Sequence, residues 1–170
     1  MSQETGKPAP SGFLDSRLQA IQGIVRTTYE HPSIVSRYTT VGLWPAEEIL
    51  VLDYVPEGAR VLDLGCGAGV PYTRALAQRF TVTGVDSSGE MIQRARANAP
   101  NGRFILGDIM TVDFPTSSFN AVVAFYSVFH LPREEHLELF RRIYQWLKSD
   151  GYLLATLTSI SEEAYTEDEF

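Results

Sequence analysis

The chain has 170 residues, 44% hydrophobic and 21% charged, with a formal net charge of −7; that length and balance fit one globular domain with a real core. Lys and Arg are scattered under a net negative charge, which argues against nucleic acid as the main partner, because non-specific affinity for a phosphate backbone comes from clustered cations. No apolar run reaches the length of a membrane span, and a lone cysteine, Cys66, excludes a disulfide framework, makes a cysteine-based metal site unexpected and fits a cytoplasmic location.

Residues 1–12, "MSQETGKPAPSG", lack the apolar stretch of a secretory signal and are expected to form a disordered tail. Residues 13–58 read as a helical segment. Leu14, Leu18, Ile21 and Val25 recur at helical spacing, "HPS" at 31–33 stops that helix, and a second helix over 45–55 starts at Pro45 and its acids. A core over 59–160 then alternates. "GARVLDLG" is a short buried strand, "PYTRALAQRF" a helix and "TVTGVD" a strand. "SSGEMIQRARANA" is a helix with Ser87 and Glu90 at capping-box spacing, ended by Pro100. "GRFILGD" and "FNAVVAFYS" are strands. "REEHLELFRRIYQWLKSDG" is a long helix with Leu137, Phe140, Tyr144 and Leu147 on one face and Gly151 as its stop. "YLLATLTS" is the last strand, and residues 161–170 form an acidic tail.

The strands are apolar almost throughout, as expected when helices cover both faces of a sheet. Alternation of strands and helices predicts an α/β fold, a doubly wound and mostly parallel sheet flanked by helices. Ligands in such sheets bind beyond the carboxyl ends of the strands, where strand order reverses.

The loop "DLGCGAGVP" places Gly65, Gly67 and Gly69 directly after the first strand. A dinucleotide fingerprint would need glycine where Val70 stands, and a phosphate-binding Walker loop would need Gly-Lys-Ser/Thr at its end. Bare backbone still admits a ligand, and the plain alternative is a tight strand-to-helix turn. Asp86 ends the second strand, where an acid can accept from ribose hydroxyls. Asp108 ends the third, and Asp63 lies inside the first. Three acids along one edge attract cations and hydroxyls and repel a pyrophosphate.

From Ala59 to Leu157 the chain resembles the class I S-adenosylmethionine-dependent methyltransferases. The resemblance rests on "VLDLGCGAG", "VTGVDSSGEMI", "FILGDIM", "FNAVVAFYSVFHLP" and "LFRRIYQWLKSDGYLLATL", five motifs in order. It implies a Rossmann-like core and S-adenosyl-L-methionine as cofactor, with S-adenosyl-L-homocysteine as product. By the same resemblance, Gly65, Cys66, Gly67 and Gly69 form the loop against the methionyl moiety, and Asp63 acts on its amino end and orients the loop. Asp86 holds the ribose diol, Ser87 and Met91 line the adenine, Asp108 accepts from the adenine amino group, and Ile109 offers a backbone N–H. Phe125 closes the sulfonium side. Three of these residues also have a plainer reading: Asp63 as a cap for backbone amides, Met91 as core, Cys66 as a small loop residue without a partner base.

Methyl transfer from a sulfonium asks mainly for alignment and exclusion of water, with a base where the nucleophile arrives protonated. "FYSVFHLP" lacks the motifs of the family's nucleobase-amine and cytosine-carbon enzymes, and "AFYS" offers no acidic metal ligands. A small-molecule acceptor is what remains. His130 is the candidate base, but the favoured reading is structural: it caps the loop before Pro132 and hydrogen-bonds backbone. Tyr38 and Trp44 are lid candidates. Two other functions stay open at this stage: an NAD(P)-dependent dehydrogenase on the same fold, and a domain that binds the cofactor without catalysis.

Family members continue past this point with a helix and two further strands, one antiparallel, whereas "SISEEAYTEDEF" follows here. A short form or fragment is expected, lacking those last two strands. It would bind cofactor with little methyl transfer, and its edge strand 152–158 would self-associate or be covered by the tail or the N-terminal helix.

Overall fold

The computed structural model describes residues 52–157. The helix over 13–30, the lid candidates Tyr38 and Trp44, most of the helix over 45–55 and the acidic tail fall outside the described residues.

After a 3₁₀ turn at 52–54 the elements are β1 (Arg60–Leu64), α1 (Tyr72–Leu76), β2 (Thr81–Asp86), α2 (Gly89–Asn98), β3 (Arg103–Leu106), β4 (Phe119–Ala124), a 3₁₀ turn (Val128–His130), α3 (Arg133–Trp146) and β5 (Leu147–Ala155). The strands lie in the order β3-β2-β1-β4-β5, and every pairing is parallel. This is the α/β, doubly wound sheet that the alternation predicts. Strand order reverses between β1 and β4, which opens a crevice at their carboxyl ends.

The pleat sends successive side chains to opposite faces. Val61, Val82, Ala121 and Val123 pack with Leu76 and Phe80 on one face. Leu62, Leu64, Val85, Val122 and Ala124 pack with Leu139, Ile143 and Trp146 of α3 on the other. Asp63 shares the face of Val61, the side on which α1 lies. Residues Val61 to Leu64 of β1 and nearly all of β4 are buried. Cover is as good in the middle of β2, whereas β3 and β5, at the ends of the sheet, are partly exposed, because among the described residues an end strand has a neighbour on one side only.

Two features of the helices differ from the pattern-based expectation. The buried stripe of α3 is Leu139, Ile143 and Trp146, while Leu137 and Tyr144 are 61% and 80% exposed. Both stripes have helical spacing, so periodicity alone does not choose between them. The large Trp146 ring decides it by burying against Phe114, ring centroids 5.3 Å apart. The helix also stops at Trp146, not at Gly151, because Leu147 already pairs with Phe119 of β4. The N–H groups of Ser117 and Ser118 donate to the carbonyls of Gln145 and Trp146 (2.8 Å each), capping the helix end without any linking residue. Gly151 lies inside β5, where a Cβ would meet the Leu147 side chain at 2.9 Å.

In α2 the cap is Ser88, one residue later than the Ser87–Glu90 box predicts. Asp86 Oδ1 accepts from Ser88 N–H (2.9 Å). That turn leaves Ser88 extended, with its Oγ accepting from Met91 N–H at 3.2 Å. β3 and β4 end earlier than expected, so Asp108 stands two residues past β3 and Phe125 one past β4, while β5 begins at Leu147 and not at Tyr152.

Candidate functional site

The three loop glycines answer to three different constraints. A Cβ on Gly65 would lie 2.3 Å from Ser127 Cβ, and one on Gly69 3.0 Å from Ala95 Cα of α2. Those two positions let the segment after β4 and the helix α2 close on the loop. Gly67 has φ +52°, and among the described residues no atom lies within 4 Å of a Cβ built there. Among the described residues, the middle of the loop thus presents backbone that nothing covers on the Cβ side of Gly67.

The loop is pinned from several sides. Asp86 Oδ2 accepts from Gly67 N–H at 2.9 Å, and the Val85 carbonyl accepts from Gly65 and Cys66 N–H at 2.8 and 2.9 Å. Ser127 Oγ donates to the Leu64 carbonyl at 2.6 Å. Thr73 Oγ1, at the second residue of α1, donates to Asp63 Oδ2 at 2.6 Å. Neither Thr73 nor Ser127 stands out in the sequence, since each is an ordinary hydroxyl whose partner is remote along the chain.

Electrostatically the acids are not alike. Asp63 is 3% exposed. Burial pushes its carboxyl up to about 7; the Thr73 hydroxyl pulls against that shift, and the charge of Asp86 adds to it. Burial also raises Asp86, opposed by the N–H groups of Ser88, Gly67 and Ser87. Asp108 turns its Oδ1 onto Met110 N–H (2.7 Å) and its carbonyl onto Thr111 and Val112 N–H, so it shapes the turn that carries Ile109. Glu135 of α3 lies near enough for Asp108 to raise its carboxyl further, beyond the larger effect of burial.

The other candidates divide by exposure. Cys66 is buried over Gly84, where a Cβ would meet its Sγ at 2.9 Å. Burial, with Asp63 and Asp86 adding, pushes its thiol well up, so what it offers a ligand is backbone. Met91 is 2% exposed and packs on Ala68 of the loop; Ser87 is half-buried beside Asp86. Phe125 stacks on Tyr72 with ring centroids 4.4 Å apart, and Tyr126 and Phe129 extend this aromatic wall. The His130 ring packs on the Phe129 ring (4.5 Å), and the backbone N–H of His130 donates to the Ser127 carbonyl (3.1 Å). Burial lowers its pKa, leaving the ring neutral near pH 7. The strand ends therefore bring Asp63, Asp86, the loop and Phe125 together around the crevice. Asp108 and Ile109 stand at the β3 end, beyond β2.

Among the described residues no helix is long and apolar enough to cross a membrane. The family described as "methyltransferase domain" matches residues 61–151. A trans-aconitate 2-methyltransferase of Variovorax paradoxus is 35% identical over 136 residues, covering 78% of this chain and 51% of that protein. The chain thus spans about half the length of this curated relative. Among solved structures, a TehB-like SAM-dependent methyltransferase from Corynebacterium glutamicum shares the fold with TM-score 0.66 and 22% identity, over 76% of this chain and 75% of that one. A phosphoethanolamine N-methyltransferase from Haemonchus contortus, in complex with phosphoethanolamine and S-adenosylhomocysteine, also shares it with TM-score 0.66 and 19% identity, over 82% of this chain and 32% of that one. With the family match extending from β1 into β5 across the loop and all three strand-end acids, the chain belongs to the methyltransferase-domain family.

Proposed function

We propose that this chain binds S-adenosyl-L-methionine and passes its methyl group to a small-molecule acceptor, releasing S-adenosyl-L-homocysteine. The observation that carries this reading is the backbone at Gly67, open among the described residues and held by Asp86, whose charge reaches Asp63. A ligand with an ammonium group and a ribose diol suits that edge, and a diphosphate does not. The small-molecule methyltransferases among the relatives support the acceptor class.

In this reading, Asp63 and the loop hold the methionyl end, Asp86 accepts from the ribose hydroxyls, and the Asp108–Ile109 turn meets the adenine edge. The cofactor supplies a methyl carbon already activated by its sulfonium leaving group. Phe125 and Tyr72 exclude water on that side and place π-faces near positive charge. His130, whose pKa burial lowers, is the candidate to take a proton from an acceptor that needs to lose one.

S-adenosyl-L-methionine and S-adenosyl-L-homocysteine are expected to raise the thermal midpoint by several degrees, as a ligand at about 100 times its Kd adds about 2.7 kcal/mol. NAD is expected to leave the midpoint unchanged. A shift with NAD alone would overturn the reading, and a product assay for S-adenosyl-L-homocysteine tests transfer itself.

Asp86→Ala is expected to weaken S-adenosyl-L-homocysteine binding by about 1.5–3 kcal/mol, the scale of hydrogen bonds to a charged group. The same variant frees the Gly67 N–H that Asp86 now holds. Calorimetric affinity equal to the parent's would remove Asp86 from the site. Self-association through β5 and a cytoplasmic setting belong to the same proposal. The first is supported by Tyr152 and Leu153, each 39% exposed on an end strand, and is checked by light scattering. The second is supported by the lone, buried thiol of Cys66.

A further inference from the structure

The turn after β3 is held from behind by one side chain of α3. Arg142 Nη1 donates to the carbonyls of Ile109 (3.3 Å) and Met110, and its Nη2 donates to the carbonyl of Val112. Its guanidinium lies over the Trp146 ring, 4.9 Å from the centroid. Trp146 Nε1 in turn donates to Asp113 Oδ1 at 3.3 Å. Three carbonyls within four residues thus converge on one planar fork. On the opposite side of that turn, Asp108 Oδ1 accepts from Met110 N–H. The peptide unit joining Ile109 to Met110 is therefore held at its carbonyl by Arg142, while its N–H, that of Met110, sets the Asp108 carboxylate.

We infer that Arg142 is a positioning residue: by holding the carbonyls of residues 109–112, it fixes the Asp108 carboxylate and the Ile109 N–H for the amino-bearing edge of a purine. The inference rests on the cofactor reading above and deepens it by naming what sets selectivity at the nucleobase. A rigid planar fork suits this task, since it satisfies several acceptors in one plane. Lysine carries the charge as a single point, and methionine carries neither charge nor donor. Fixing both partners beforehand matters because a purine discriminates through paired donors and acceptors only when the site cannot relax around the wrong one.

The test compares S-adenosyl-L-homocysteine with its analogue bearing hydrogen in place of the purine 6-amino group, by calorimetry. The parent is expected to prefer the amino-bearing ligand about tenfold, the scale of one well-made hydrogen bond. In Arg142→Met this preference is expected to fall towards one, and Arg142→Lys to recover part of it. Amide hydrogen exchange of Met110 and Val112 in the free protein is expected to quicken in Arg142→Met while the amides of β2 stay protected. A preference kept at the parent's value in both variants would overturn this role, even if the variants melted earlier. Failure of the parent to bind S-adenosyl-L-homocysteine would instead overturn the cofactor reading, and this role with it.

Discussion

Gly65→Ala is expected to lower the unfolding free energy by roughly 2–5 kcal/mol and to abolish binding at the loop. Two costs combine. With φ at +77° an alanine sits in a left-handed conformation that costs about 1–2 kcal/mol, and the new Cβ would lie 2.3 Å from Ser127 Cβ, an overlap that costs about 1–3 kcal/mol even after neighbours shift. Ser127 has little room to move, because its Oγ donates to the Leu64 carbonyl one residue before Gly65. Ser127→Gly alone loses that hydrogen bond, at about 1 kcal/mol. The double variant Gly65→Ala/Ser127→Gly removes the overlap but keeps the backbone strain. It is therefore expected to be more stable than the sum of the single variants allows, by about 1 kcal/mol or more. Urea unfolding of the four proteins measures this, and strict additivity would show that the overlap is relieved elsewhere.

Asp63 gives the other large effect, and here the sign depends on pH. The ordinary carboxyl value is 3.8, and in the folded chain burial takes it to about 7. Between those values the folded state keeps a proton that the unfolded chain has released, so stability falls as pH rises and levels off above about 7. The contribution is fully present below about 3.8 and lost by the time pH has passed through the folded value. The amplitude is on the order of 4 kcal/mol at 1.36 kcal/mol per unit. Asp63→Asn keeps an acceptor for Thr73 Oγ1 and removes the charge, so it is expected to flatten the slope and to be the more stable protein at pH 8. Binding is expected to move the other way. An ammonium group arriving near Asp63 favours its ionised form, so affinity rises with pH up to about 7 and falls about tenfold or more in Asp63→Asn. Calorimetry below pH 7 is expected to show proton release, as heats that depend on the buffer's ionisation enthalpy. Equal heats in all buffers, or a parent as stable at pH 8 as at pH 5, would contradict the assignment.

Much of this was legible along the chain. The glycine loop, the alternation of strands and helices, and the acids near the strand ends are local patterns, and parallel sheets write their strands as plain apolar runs. What escaped was long-range. Ser127 and Leu64 are 63 residues apart, Arg142 and Val112 are 30 apart, and Thr73 meets Asp63 only because both face the same side of the sheet. A serine, an arginine or a threonine carries no mark of such a partner. The buried face of α3 was ambiguous for a different reason. Two apolar stripes share one helical period, and the choice lies with Trp146 and with β4, which takes up Leu147 as a strand residue. The cap of α2 slipped by one because two serines in succession both satisfy the local pattern, and Asp86 settles which of them turns inward.

The direct passage from α3 into β5 also bears on how this chain can change over time. No spare residue separates Trp146 from Leu147, and the helix end is tied to Ser117 and Ser118. One inserted residue there would rotate the helix by about 100° relative to the strand. Leu139 and Ile143 would swing out of the core together with Arg142, and the turn bearing Asp108 would lose its grip. Length variation must therefore be absorbed elsewhere, for instance at the exposed Pro115 and Thr116. A lineage of such proteins can lengthen its surface loops freely while the helix–strand seam keeps a fixed count, as a reading frame does.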